Sequence, residues 1–361
     1  MKQLILTNLL ILTSCVLFGQ SIDSWTAFGN NDTTLIGYKD KNGIVKIEPK
    51  FMGITIAKKF DDIIAVMENV NGGYESYYLT KSGRIIGKDS LYIFDNGADC
   101  ENEGFIRFRD DKTDKVGMFN KNGNVVIPAE YDVLSRVRNG MIVALKGAKK
   151  KIFDGGEHYS WIGGKEMLID TNNNVLIDNF KFDSNINFYS LKVTSQPILD
   201  TIRQNFKTNN GQYYSFIDYE KEFNFWLKSS LLANLTKTNL INATYKEVTF
   251  WKDPNGWTSE AKESFIDKNF ELIKFKLLQL NSEDCDYHIF DDGLNLYIYD
   301  SDEYKDFFNN CGESKDWIYP IKNIVISYKN NNDLVQDHFE FLRTENGYKL
   351  ISIMIRNGEI K

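Results

Sequence analysis

Two tryptophans bracket a strong turn signal in the second half of the chain. The turn residues Asp253-Pro254-Asn255-Gly256 bring Trp251 and Trp257 close together, because proline, asparagine and glycine favour chain reversal. Exposed rings would grip a sugar or a peptide through their flat faces, whereas buried rings would staple the turn to the following helix. Trp251 and Trp257 are therefore candidate binding residues, and the sequence leaves both alternatives open.

The chain has three histidines, and none belongs to a pattern typical of a metal centre or of nucleophilic catalysis. Cys285 and His288 have a ligand-like spacing, but a zinc site needs further ligands and no second pair exists. We therefore predict no metal, no cofactor and no catalytic residue. The alternative is an enzyme with its site near His338, because a histidine beside Glu340 in a cavity has the chemistry of a general base.

Cysteine usage is sparse. Cys15 lies in a predicted export signal, which leaves three further cysteines. Cys285 and Cys311 close a loop of modest length and are the candidate disulfide in an oxidising compartment, with Cys100 left unpaired. The alternative is three thiols without a bridge.

The N-terminus predicts export. Lys2 precedes an apolar run over residues 4–18 that is too short to span a bilayer comfortably, so residues 1–19 are predicted to be a signal peptide cleaved before Gln20. The alternative is a lipoprotein anchored through Cys15, because Leu12-Thr13-Ser14-Cys15 fits a lipobox. Both alternatives place the mature protein in the periplasm or outside the cell. No second long apolar run follows, so we predict no membrane span.

Composition limits the classes of partner. At 361 residues with 42% hydrophobic residues, the chain is long and apolar enough for two folded domains. The net charge of −7 argues against nucleic acid, which needs a concentrated basic face.

Three glycine turns organise the first half. Gly43, Gly83 and Gly123 are spaced 40 residues apart, and each is followed by a β-branched run typical of a returning strand. A fourth hairpin is predicted over residues 167–177. It follows an insertion, Asp154 to Gly164, whose irregular spacing marks a binding loop. His158 in this insertion is a further candidate binding residue.

These hairpins resemble the WG repeat family of the Bacteroidetes type. The residues that carry the resemblance are Ile36 to Gly43, Val116-Gly117 and Ile127-Pro128-Ala129-Glu130-Tyr131-Asp132, although Ile36 and Val116 stand where the family has tryptophan. The resemblance covers roughly residues 30 to 182. It implies a β-rich repeat array with a general association with binding or envelope scaffolding, and it brings no catalytic residue.

The second half predicts a different class of fold. Apolar periodicity predicts three helices: one from Ser195 to Phe206, one from Phe216 to Leu231, and one that begins at Thr258 or Ser259 and ends near Leu280. Alternating residues then predict a strand over 294–299 and three more over 324–328, 335–341 and 348–355, the last three as an antiparallel meander. The closing hairpin is similar to that of NTF2-like cone domains.

The sequence therefore predicts a β-rich repeat domain of antiparallel hairpins over residues 20–182, followed by an α+β domain over 183–361 with three helices and a C-terminal meander. The functional hypothesis is a non-catalytic exported binding or scaffold protein of the cell envelope, with a protein or glycan as partner.

Overall fold

The computed structural model describes residues 23–94, 97–153, 156, 159–252, 254, 256–330 and 333–361. The predicted signal peptide, Cys15 and His158 lie outside these residues. Strands account for 48% of the structure and helices for 15%, so the protein is β-rich, as predicted. The part of the chain that the structure describes has no helix long and apolar enough to cross a membrane.

The first half of the chain forms several antiparallel sheets. The first sheet has the spatial order β4-β1-β2-β3-β5-β6-β7 and contains β1 (Trp25–Gly29), β2 (Ile36–Lys39), β3 (Val45–Phe51), β4 (Lys59–Phe60), β5 (Ile63–Val70), β6 (Gly73–Thr80) and β7 (Ile85–Ile86). Next come a two-stranded sheet of β8 (Ile93–Phe94) and β9 (Gly97–Ala98), and a three-stranded sheet of β10 (Phe105–Asp110), β11 (Lys115–Asn120) and β12 (Val125–Tyr131).

A four-stranded sheet and a separate two-stranded ribbon follow. The strands are β13 (Val133–Leu134), β14 (Met141–Lys146), β15 (Lys149–Ile152), β16 (Tyr159–Ile162), β17 (Lys165–Asp170) and β18 (Val175–Asp178). The sheet has the order β13-β14-β17-β18, and β15 with β16 forms the ribbon, which carries the predicted insertion. A three-stranded sheet then joins β19 (Ile186–Thr194), β20 (Arg203–Lys207) and β21 (Tyr213–Asp218) in the order β19-β21-β20.

All four predicted hairpins are present, and their turns share one construction. A residue at the end of the first strand, or directly after it, accepts hydrogen bonds through its side-chain oxygen from backbone N–H groups of the turn, as Asp40 does from Asn42 (2.9 Å) and Ile44 (3.0 Å). Thr80, Asn120 and Asp170 take the same role in the other three turns. The second residue before the return strand has positive φ in every case: Gly43, Gly83, Gly123 and Asn173.

The second half packs three helices on one six-stranded sheet. The helices are α1 (Tyr219–Trp226), which runs into a π-helical turn (Leu227–Leu231), α2 (Lys237–Asn242) and α3 (Lys262–Leu278). The sheet has the order β23-β22-β27-β26-β25-β24 and contains β22 (Thr244–Lys252), β23 (Gly256–Ala261), β24 (Tyr287–Asp292), β25 (Ile321–Asn330), β26 (Asp333–Thr344) and β27 (Gly347–Met354). The predicted meander of the last three strands is confirmed.

The apolar stripe predicted for the third helix is also confirmed. Ile266, Ile273 and Leu277 are fully buried against the sheet, where they meet Phe339 and Phe341 of β26. This cluster fills the space between the helices and the sheet.

Four sequence predictions about local structure in this half are wrong. Residues 195–202 form no helix, and Phe206 lies in β20, where it packs on Phe180 and Phe216. The second helix begins at Tyr219, because Asp218 caps it through the N–H of Lys221. The predicted caps of the third helix, Thr258 and Ser259, lie in β23. Residues 294–299 form turns, and the strand before them is β24. For Phe206, Thr258 and Ser259, sheet pairing overrides the periodicity of the segment.

The loop from Phe308 to Trp317, which we call the bridging loop, connects the two halves. The carbonyl oxygen of Asn310 accepts hydrogen bonds from the backbone N–H groups of Lys58 (2.7 Å) and Lys59 (2.9 Å), and its side chain donates to Asp61 (2.7 Å).

The predicted bridge between Cys285 and Cys311 is wrong. The bridging loop places Cys311 beside Cys100 in the core of the first sheet, and these two cysteines form the disulfide, whereas Cys285 is a thiol. Spacing along the chain favours a bridge between Cys285 and Cys311, but the bridging loop places Cys311 in the core of the other half.

Candidate functional site

A cleft of about 710 Å³ lies between the four-stranded sheet and the bridging loop. We call it the aromatic–arginine cleft. Its volume falls in the range of about 300–1,000 Å³ that is typical of ligand pockets. Three arginines and five aromatic side chains line it: Arg107, Arg136, Arg138, Tyr92, Phe94, Trp161, Phe182 and Trp317.

Two of the arginines are paired with the buried carboxylate of Asp99. Arg107 donates to Asp99 through its backbone N–H (3.0 Å) and Nε (2.9 Å), and Arg136 donates through Nε (3.1 Å). Burial by itself would raise the pKa of Asp99, but the two guanidinium groups outweigh burial and hold this pKa below its usual value. Arg107 also donates to the carbonyl oxygen of Leu134 (2.9 Å), so it braces the edge strand β13. These two arginines are structural parts of the cleft floor.

Arg138 is different, because its side chain has no such partner. Within the described residues its Nε is buried without a hydrogen-bond partner, and no ion pair involves its guanidinium. The group lies over the rings of Trp317 (5.5 Å to the centroid) and Phe182 (5.9 Å). Burial lowers the pKa of Arg138, and the nearby carboxylate of Asp316 opposes this shift. Arginine remains protonated at neutral pH, so Arg138 puts a positive charge in the cleft that no ion pair within the described residues neutralises, although the carboxylates of Asp316 and Glu166 also line the cleft.

The backbone of Arg138 is held in a tight turn. Arg138 and Met141 exchange backbone hydrogen bonds of 2.8 and 3.1 Å, and Asn139 and Gly140 both have positive φ, as a two-residue hairpin turn requires. The carboxylate of Glu103 accepts from the N–H groups of Asn139 (2.7 Å) and Gly140 (2.8 Å). The backbone position of Arg138 is therefore fixed by the fold itself.

The bridging loop forms the opposite wall, and three further contacts besides those of Asn310 fix it. Cys311 is bonded to Cys100, and the carboxylate of Glu313 pairs with the guanidinium of Arg136. At the other end, the hydroxyl of Tyr219 in α1 donates to the carbonyl oxygen of Trp317 (3.0 Å). Residues from both halves of the chain thus build one site.

The mouth of the cleft is apolar and exposed. Phe94 is 76% exposed and Phe182 is 41% exposed, although both rings border the cleft. The neighbouring ribbon of β15 and β16 contributes Trp161 to the lining, and it leaves Ile152 and Ile162 largely exposed. Exposed apolar groups beside a fixed charge are typical of a site that binds a partner.

A second cleft of about 570 Å³ lies at the tips of the hairpin turns and is acidic. Glu101 lies in it beside Asp61 and Asp62. Burial, together with these two carboxylates, outweighs the N–H of Gly104 and raises the pKa of Glu101 to about 7. The described residues contain no group of three or more histidine, cysteine or acidic side chains able to hold a metal ion.

The candidates named from the sequence lie elsewhere. Trp251 and Trp257 face each other across β22 and β23 with their ring centroids 5.7 Å apart, edge to face, and they are 43% and 39% exposed. The two rings pack on each other and are partly exposed, which lies between the two predicted alternatives. They do not line the aromatic–arginine cleft. His158 lies outside the described residues.

His338, the residue of the enzyme hypothesis, is half-buried in β26 on the face opposite the helices. Phe339 and Phe341 point into the apolar cluster, so His338 and Glu340 alternate with them, as predicted. Burial, and then Arg356, lower the pKa of His338. His338 lines neither of the two clefts described above.

Sequence reasoning missed the residues of the aromatic–arginine cleft. A local signal for one of them exists, because Arg138-Asn139-Gly140 contains the dipeptide most typical of a two-residue hairpin turn. No local signal exists for Trp317, which reaches the cleft only because the bridging loop crosses to the other half.

No protein-family model and no curated protein matches this chain. The geometry of the molecule therefore carries the functional argument.

Proposed function

We propose that this chain is an exported, non-catalytic binding protein of the cell envelope, built on WG-like hairpins, and that it holds a protein or glycan ligand in the aromatic–arginine cleft. The observation that carries the proposal is the guanidinium of Arg138, which has no ion pair within the described residues and lies over the rings of Trp317 and Phe182 in a cleft of ligand size. A preorganised charge with apolar walls favours binding because little ordering is needed when the ligand enters.

Two further observations support the proposal. The disulfide between Cys100 and Cys311 is compatible with an oxidising compartment, where the export prediction puts the protein. The cleft also lies beside the ribbon that carries the predicted binding insertion, and Trp161 of that ribbon lines it.

The test is a binding screen on the chain from residue 20 onward. Two tryptophans in the lining, Trp161 and Trp317, provide an intrinsic fluorescence signal for peptides and for neutral and acidic oligosaccharides. The double variant Phe94→Ser with Phe182→Ser removes the exposed apolar mouth, and we expect it to weaken binding by about tenfold or more.

The matched control is the double variant Leu199→Ser with Tyr297→Ser. These side chains are 98% and 95% exposed and do not line the cleft, so ligand affinity should be unchanged. Equal loss in both double variants, or no bound ligand in the whole screen, would contradict the proposal. Multiple turnover of any bound compound would contradict its non-catalytic part.

A further inference from the structure

Arg138 has the chemistry of a receptor for an anion, and the neighbouring arginines show why. Arg107 and Arg136 point at the same cleft, yet Asp99 and Glu313 satisfy both of them. Arg138 has the nearby carboxylate of Asp316 but no ion pair with it within the described residues. A guanidinium presents a planar fork of donors that matches a carboxylate, so a ligand with this group would complete the unfinished pairing.

The rest of the lining favours a peptide as the carrier of that carboxylate. Val133, Val143 and Leu145 add aliphatic surface to the aromatic rings, and such walls accept apolar side chains. A saccharide would need hydrogen-bond partners for many hydroxyl groups. Arg107, Arg136 and Glu313 already form hydrogen bonds with the protein, so these three side chains favour a saccharide less than a peptide.

The surroundings extend the apolar surface beyond a small-molecule site. Phe94, Phe182, Ile152, Tyr159 and Ile162 are all at least 41% exposed around or beside the mouth. This surface can bury the residues that precede the carboxylate in a longer chain.

We propose that the aromatic–arginine cleft takes an apolar peptide segment and that Arg138 binds a carboxylate of that segment. The inference rests on the proposed binding function and names its ligand class. The C-terminal carboxylate and the side chain of an acidic residue share this chemistry, and the experiment separates them.

The experiment uses the chain from residue 20 onward and a pool of N-acetylated pentapeptides with Leu, Phe, Tyr or Val at the last two positions. The pool is made with a free C-terminal carboxylate, with a C-terminal amide, and as the amide with one internal Glu. Peptides retained by the protein are counted by mass spectrometry after rapid gel filtration. We expect one carboxylate form to be retained about tenfold or more above the plain amide.

Variants then assign the preference to one side chain. Arg138→Gln should abolish the preference for a carboxylate, and Arg138→Lys should keep part of it because the charge remains. Asp316→Asn removes a nearby carboxylate that competes for Arg138, so retention should rise. A merely structural Arg138 would leave the ratio of acid to amide unchanged in every variant that folds.

Several results would overturn the inference. Equal retention of acid and amide, or an acid preference that survives in Arg138→Gln, removes Arg138 as the receptor. If Arg138→Gln fails to fold, the other two variants decide. An unchanged ratio of acid to amide in Arg138→Lys, together with loss of peptide binding in Asp316→Asn, would also show that Arg138 does not bind the carboxylate. Tighter binding of trigalacturonate than of every peptide would assign the cleft to acidic glycans, in which case the proposed binding function stands and the peptide inference falls. Retention of no probe at all contradicts both.

Discussion

Cys100 and Cys311 are bonded to each other although 211 residues separate them in the sequence. Both side chains are buried in the core of the first sheet, where Cys311 is the one contribution of the bridging loop to that apolar cluster. The bond fixes the loop that carries Glu313 and Trp317, so it supports one wall of the aromatic–arginine cleft.

Removal of this disulfide should destabilise the protein strongly. The double variant Cys100→Ala with Cys311→Ala loses a cross-link over a long loop, and we expect the free energy of unfolding to fall by about 2–5 kcal/mol. Urea denaturation followed by circular dichroism measures this difference. The control is Cys285→Ala, which removes the half-buried thiol and should cost about 1 kcal/mol or less.

A direct chemical check accompanies this prediction. Proteolysis without reduction, followed by mass spectrometry, should yield a peptide pair that joins Cys100 and Cys311, and alkylation of the unfolded, unreduced chain should label Cys285. A linked pair that contains Cys285 would contradict the structure.

Glu101 should make stability depend on pH. Its pKa is raised to about 7 by burial and by Asp62 and Asp61, compared with about 4.5 in the unfolded chain. Below pH 4.5 the carboxyl is protonated in both the folded and the unfolded state, so it does not lower the free energy of unfolding. Between pH 4.5 and 7 the unfolded state ionises first, and the free energy of unfolding falls. The total loss is about 3 kcal/mol.

The variant Glu101→Gln tests this pH dependence because it cannot ionise and keeps an oxygen for the N–H of Gly104. It should be more stable than the natural protein at pH 8, and this advantage should shrink as the pH falls to 4.5. Thermal unfolding across this range measures the trend. Glu48→Gln changes an exposed carboxyl and should leave the profile unchanged, whereas a constant difference between Glu101→Gln and the natural protein would refute the assignment.

The hairpins could be predicted from sequence because their information is local. Each turn combines a capping side chain, such as Asp40 or Asn120, with a residue that accepts positive φ, such as Gly43 or Gly123. These residues act within five positions of the chain, so their spacing alone predicts the reversal. Membership of the WG repeat family stays a prediction.

The cleft and the disulfide could not be predicted, because they depend on contacts between distant segments. The apolar spacing of Ile198, Ile202 and Phe206 is typical of a helix. In the structure, Phe206 instead lies in a sheet, where its ring packs on Phe180 and Phe216. Likewise, no local pattern indicates that the bridging loop leaves its own half. Pairings of this kind are decided by tertiary packing, which overrides local preference.

The glycines six residues before two of the turns have a steric role that a substitution can test. A Cβ at Gly37 would lie 2.5 Å from the carbonyl oxygen of Ile47, and one at Gly117 would lie 2.7 Å from that of Ile127. Both glycines face a bulge in the partner strand. We expect alanine at either position to cost about 1–3 kcal/mol in urea denaturation. Gly53→Ala is the control, because its Cβ would meet no atom within 4 Å and its φ is not positive. Similar costs at Gly37 and Gly53 would refute the steric explanation.

The buried ion pair of Lys276 and Asp337 holds the C-terminal tail on the second half of the chain. Their charged groups are 2.7 Å apart, with side chains 3% and 0% exposed. The same carboxylate accepts from the N–H groups of Arg356 (2.8 Å) and Asn357 (3.0 Å). Lys276→Met leaves a buried carboxylate without its cation, so we expect the free energy of unfolding to fall by about 3–5 kcal/mol.

The double variant Lys276→Met with Asp337→Asn should cost less than the sum of the two single variants, because the second change removes the charge that the first left unpaired. Lys237→Met is the matched control, since it breaks an ion pair with Asp267 in which the side chains are 45% and 62% exposed. An exposed pair contributes about 1 kcal/mol or less. Equal costs for Lys276→Met and Lys237→Met in urea denaturation would show that burial of the pair contributes nothing, and strictly additive costs in the double variant would show that the two charges do not interact.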